Sequence, residues 1–170
     1  MRKSFFIFTA VLFGFGLQNA NAQNTLKGVK INGVVWATTN VGSTTHQGYG
    51  KYYTWQEAKT VCPKGWRLPT LAEAEKLLEE KKVTFRWTSF NGKNGARFTD
   101  KVTGNSIFLP AAGYHYDGKI DGVSTNGGYW SSTEHSSKGT YAYDLSFSGH
   151  VFYLYGSLKT SGESVRCVAE

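Results

Sequence analysis

Apolar residues recur along this chain with two different periods. Val29-Lys30-Ile31 and Val34-Val35-Trp36 flank Asn32-Gly33, a pair that supplies the positive φ angles of a tight turn, so the spacing predicts a short hairpin. Two helices are predicted next. Thr54-Trp55-Gln56-Glu57 and Thr70-Leu71-Ala72-Glu73 each match the capping box, in which threonine and the glutamate three residues on satisfy free amide groups. The first helix is expected to stop before Pro63. In the second, Leu71, Ala74, Leu77 and Leu78 recur at helical spacing while Glu73, Glu75, Lys76, Glu79 and Lys82 fall elsewhere, which predicts one buried face.

After about residue 84 the texture becomes aromatic and β-branched, broken by Asn-Gly, Thr-Gly, Asp-Gly and Gly-Gly pairs. Such punctuation predicts strands and loops. Helices first and strands later point to an α+β fold rather than a parallel sheet. Residues 113–128 are rich in glycine and short polar side chains and are expected to form one long surface loop.

Tyr141 to Tyr155 carries the clearest surface pattern. With Ser148-Gly149 as a two-residue turn, Phe147 pairs with His150, Leu145 with Phe152 and Tyr143 with Leu154, and these six share the buried side. The opposite side then carries Ala142, Asp144, Ser146, Val151, Tyr153 and Tyr155. Exposed tyrosines beside small polar residues make a recognition surface, since each offers large contact area and a hydroxyl at low entropic cost. Burial of the same tyrosines under a loop or neighbouring strand is the alternative, and one extra residue in the turn would exchange the two faces.

The amino terminus changes the cellular setting. Arg2 and Lys3 precede an apolar stretch from Phe5 to Leu17, and Ala20-Asn21-Ala22 offers a small-x-small cleavage site, so residues 1–22 are read as a signal peptide and residues 23–170 as one mature domain. The expected location is secreted or extracytoplasmic. Both cysteines, Cys62 and Cys167, then meet an oxidising compartment, where an even count favours pairing. The net charge of +7 is scattered rather than gathered on a stripe, which argues against a nucleic-acid partner. No later stretch reads as a membrane span.

Candidate chemistry is sparse. Asp117-Gly118-Lys119-Ile120-Asp121-Gly122 lacks the carboxylate spacing and distal glutamate of an EF-hand, so its aspartates read as turn formers. His46, His115, His135 and His150 show no metal-ligand spacing, and neither a Gly-x-Ser-x-Gly elbow nor a phosphate-binding glycine loop is present. No catalytic residue, cofactor or metal ligand is assigned.

Several motifs in order give the chain a family resemblance. Trp55-Gln56-Glu57-Ala58, the run Cys62-Pro63-Lys64-Gly65-Trp66-Arg67-Leu68-Pro69-Thr70, then Leu109-Pro110-Ala111-Ala112-Gly113, Gly128-Tyr129-Trp130-Ser131-Ser132-Thr133 and Ser164-Val165-Arg166-Cys167-Val168 resemble the Fibrobacter succinogenes major paralogous domain. That resemblance implies an exported bacterial protein of C-type-lectin-like fold. Two helices would pack on a twisted antiparallel sheet, with a disulfide from helix to last strand. It supplies no agreed activity. The chain also departs from calcium-dependent sugar-binding lectins, lacking their Glu-Pro-Asn or Gln-Pro-Asp loop and carrying Trp130-Ser131-Ser132 where they have Trp-Asn-Asp. Similar domains are targets of diversity-generating retroelements, which vary outward residues between the Trp-Ser-Ser and Ser-Val-Arg motifs; here those are Asp144, Ser146, Val151, Tyr153 and Tyr155. The expectation is a non-enzymatic module binding a glycan or surface protein through that face and the adjoining loop of residues 113–128. The alternatives are a structural or accessory subunit of a surface assembly, and an enzyme on the analogy of formylglycine-generating enzymes of related fold.

Overall fold

The computed structural model describes residues 26–170, so the proposed leader, residues 1–22, lies outside the described residues. Strands β1 (Gly28–Ile31) and β2 (Val34–Ala37) form the expected first hairpin, pairing Ile31 with Val34. Its turn residues Asn32 and Gly33 have φ of 43° and 83°. The short strands β3 (Trp66–Arg67) and β12 (Val168–Ala169) complete this sheet in the order β1-β2-β12-β3. Strands β4 (Val83–Phe90), β5 (Lys93–Asp100) and β6 (Ser106–Pro110) form a second antiparallel sheet. Strands β7 (Tyr114–Tyr116) and β8 (Lys119–Asp121) make a small hairpin. A third sheet, in the order β11-β10-β9, is built from β9 (Asn126–Glu134), β10 (Tyr141–Ser148) and β11 (Val151–Leu158).

Helices α1 (Trp55–Ala58) and α2 (Leu71–Glu75) are four and five residues long. The domain is therefore mostly β, which overturns the expected α+β, C-type-lectin-like arrangement of two helices packed on a sheet. Both capping boxes are present, on Thr54 with Glu57 and Thr70 with Glu73, so each helix starts as the sequence directs. Their ends are decided by the residues that follow. Past α1, the Thr60 amide and hydroxyl both donate to the Glu57 carbonyl, closing a tight turn before Cys62 and Pro63. Past α2, the Leu77 and Leu78 amides donate to Ala74 and Glu75, three residues back. Turns of that kind still bury Ala74 and Leu77, so the amphipathic spacing is satisfied without a longer α-helix.

Two apolar clusters share the interior. One gathers Ile31, Trp36, Leu77, Phe98, Leu109, Tyr129, Leu145 and Phe147, and the other Trp55, Leu68, Trp130, Ala142, Val165 and Cys167. Strand β9 serves both, because consecutive side chains point to opposite faces: Tyr129 enters the first cluster and Trp130 the second. Gly127 leaves room for the first cluster, since a Cβ there would lie 2.2 Å from the Phe147 ring.

Residues 161–168 form a buried extended run beside β9. The Ser164 amide donates to the Gly128 carbonyl and the Trp130 amide to the Ser164 carbonyl, while Glu163 and Tyr53 exchange amide bonds on the other side. His115 of β7 and Gly162 do the same, and Ala37 of β2 donates to the Cys167 carbonyl. Arg166, fully buried, donates from Nε to Asn40 Oδ1, from Nη1 to the Ala37 carbonyl and from Nη2 to the Phe108 carbonyl of β6. The Cys62–Cys167 disulfide, as expected, ties the turn after α1 to the end of this run.

The bridged residues are 105 positions apart, and opening a loop of that length returns about 4–5 kcal/mol of unfolded-chain entropy. Replacing both cysteines with alanine is expected to lower the unfolding free energy by about 4 kcal/mol, measured by urea denaturation. Reductant should reproduce the loss in the wild-type protein and leave the variant unchanged.

Candidate functional site

Between β11 and the β7–β8 hairpin the β9–β11 sheet is left open as a trough of about 320 Å³, the lower end of the range for small-ligand sites. It is lined by Tyr153 and Tyr155 of β11, Tyr141 of β10 and Tyr114 and Tyr116 of β7. The floor between them is Gly128, Ser146, Ser157, Ser161 and Glu163, with Asn126 at one end. No lysine or arginine lines it, although the chain holds 19.

The β10–β11 hairpin differs from the expected register. The turn is at Gly149-His150, so Ser148 pairs with Val151, Phe147 with Phe152 and Leu145 with Leu154. Moving a two-residue turn by one position shifts every partner by two, an even step that leaves each side chain on its expected face. Leu145 and Phe147 are buried, Phe152 and Leu154 pack partly against the same cluster, and His150 at the turn is exposed. On the other face Val151, Tyr153 and Tyr155 are 59%, 41% and 62% exposed, and Ser146 is half-buried.

Asp144 departs from that expectation, as does Ala142: both are 0% exposed. Asp144 pairs with Trp130 across the sheet, and Ala142 packs with Trp55, Trp130 and Val165. One end of the face is thus covered by the second apolar cluster and the other end stays open. Asp144 Oδ2 accepts from the Ser146 hydroxyl, while Oδ1 has no partner.

Glu163, 3% exposed, lies beside it with Oε2 likewise unpartnered. The glycine at 128 makes this possible, since a Cβ there would lie 3.1 Å from the Glu163 Cδ. Burial pushes the Glu163 carboxyl well above the usual carboxylate range, and the Asp144 charge pushes it further. Burial likewise raises Asp144 to about 6, opposed by the Ser146 and Ser157 hydroxyls. Burial, then the Asp144 charge, raises the Tyr153 hydroxyl, with Glu163 adding a smaller push. Wall and floor are one electrostatic unit. Arg166, three residues along, is committed to Asn40, Ala37 and Phe108.

Residues 113–128 are not the single loop expected of them. Asp117 and Gly118 have φ of 48° and 73°, the geometry of a two-residue hairpin turn, and Tyr114–Tyr116 pairs with Lys119–Asp121. Asp121 Oδ1 accepts from the Gly122 amide, a turn-forming role. The Asp-Gly pair with Tyr-His-Tyr before it and Lys-Ile-Asp after it is the signal that finds Tyr114 and Tyr116 from sequence. Glu163 carries no comparable signal.

A mostly-β domain, closed by one disulfide around a buried C-terminal run and holding an aromatic trough on its outer sheet face, is the class that the fold and site define. Residues 17–169 match the Fibrobacter succinogenes major domain, and the chain belongs to that family. No curated protein and no solved structure matches it.

Because both carboxyls hold their protons to higher pH when folded, the folded state has its full advantage below the unfolded values of 3.8 and 4.5 and loses it as pH rises, through about 6 for Asp144 and through the raised range of Glu163. Glu163→Gln is therefore expected to raise the melting temperature by a few degrees at pH 8 and to change little at pH 4, measured by differential scanning calorimetry.

Proposed function

We propose that this protein is an exported, non-catalytic recognition module that takes a glycan in the tyrosine-walled trough. The observation that carries the reading is the convergence of Tyr114, Tyr116, Tyr153 and Tyr155, from two separate hairpins, over a floor of hydroxyls and a carboxyl. Ring faces suit the C–H faces of a sugar, and the serines with Asn126 can meet its hydroxyls. Large aromatic side chains exposed on a β surface cost solubility, which a binding role accounts for. Tyr153 and Tyr155 already sit edge to face, with centroids 6.0 Å apart, so little ordering is required on binding.

Export is supported by the Cys62–Cys167 bond, since disulfides persist in oxidising compartments. Among the described residues no helix is long and apolar enough to cross a membrane. Binding is favoured over turnover by the burial of Asp144 and Glu163, which are 0% and 3% exposed.

Substituting both Tyr153 and Tyr155 with alanine is expected to abolish retention on a glycan array while changing stability by less than about 0.5 kcal/mol, as for other exposed positions. A cooperative loss of stability instead would show that the pair belongs to the core and would refute the reading.

A further inference from the structure

A carboxylate buried without a cation is costly, and proteins pair it, protonate it or supply its counter-charge from a ligand. The described part of this chain holds two such groups side by side and offers neither a cationic partner. Its ion pairs are Arg67–Glu73 and Lys159–Glu134, the trough has no basic lining, and Arg166 is spent on other acceptors. Asp144 Oδ1 and Glu163 Oε2 are buried and have no hydrogen-bond partner. Glu163 nonetheless lines the trough, and the glycine at 128 leaves its carboxyl just enough room beside the strand.

Resting on the glycan reading above, we propose that the trough selects sugars carrying a free amino group, with the ammonium held at Glu163, the one carboxyl that lines it, and with the buried Asp144 behind. A hydroxyl can accept or donate one hydrogen bond at such a floor. An ammonium also supplies the missing charge, and aromatic faces around it add cation–π attraction. Amino sugars are favoured over a lysine side chain because Ser146, Ser157, Ser161 and Asn126 lie among the lining residues. These match ring hydroxyls, whereas the lysine arm brings methylenes that need an apolar channel. A metal ion in the same place is poorly served, since among the described residues no third His, Cys, Asp or Glu joins the two carboxyls.

The test is isothermal titration of the protein with a glucosamine tetrasaccharide, its fully N-acetylated counterpart and a lysine tetrapeptide, repeated with Glu163→Gln. The amino tetrasaccharide is expected to bind at least about tenfold more tightly than the acetylated one, and Glu163→Gln to erase that difference. Because Gln keeps the shape, a melting temperature no lower than that of the wild type assigns the loss to charge. Equal binding of both tetrasaccharides, or an undiminished preference in the variant, overturns the ammonium proposal and leaves glycan recognition standing. Binding of the lysine peptide alone, or binding abolished by a calcium chelator, overturns it as well. Failure of both tetrasaccharides overturns it too; the glycan reading falls with it only if the Tyr153/Tyr155 double variant matches wild type on the array.

Discussion

Residues 161–168 run through the interior as buried extended chain, and each of the four sheets bonds to them. The β9–β11 sheet is joined through Ser164, the β7–β8 hairpin through Gly162, the first sheet through the Cys167 carbonyl and β12, and the β4–β6 sheet through the Arg166 guanidinium on Phe108. A buried backbone must find a partner for nearly every amide and carbonyl, so this run can occupy the centre only if the surrounding sheets present their edges to it. Arg166 makes the same demand more strongly. Burial lowers its pKa to about 10, and its guanidinium is tolerated there because Asn40, Ala37 and Phe108 accept from it. The disulfide then fixes the end of the run against the turn after α1.

The same run builds the candidate site. Val165 and Cys167 anchor it in the second cluster, the Ser164 backbone bonds to Gly128 and Trp130 hold it in register with β9, and that register puts the Glu163 carboxyl over Gly128 and beside Asp144. Two carboxyls raised by burial, Glu163 also by the Asp144 charge, oppose folding near neutral pH, a local cost that well-packed surroundings carry and that sites of recognition commonly show. The cost falls on the strand most firmly held, where a displaced side chain has nowhere else to go.

Much of the architecture was legible because it is local. Asn32-Gly33 makes its turn wherever it sits, and Thr54 and Thr70 cap whatever helix follows. The outward placement of Val151, Tyr153 and Tyr155 and the inward one of Leu145 and Phe147 were legible even though the turn lies one residue further on, because alternation depends on parity alone. Helix length was not legible: Leu71, Ala74, Leu77 and Leu78 fit a helix and a series of tight turns equally well, and the choice rests on which carbonyl each amide finds. Nor was the exposure of Asp144, which shares a face with Tyr155 yet sits under a different part of the fold.

The sequence by itself therefore determined the turns, the helix starts, the single possible cysteine pairing and the two-sided pattern of the last hairpin, since each depends on residues close in the chain or on simple counting. Only the tertiary structure decided that the domain is mostly β, that Tyr114 and Tyr116 line one trough with Tyr153 and Tyr155, and that Glu163 meets Asp144. Those juxtapositions join residues far apart in the chain through the packing of separate sheets around one buried strand. No local period or propensity encodes a distance of that kind.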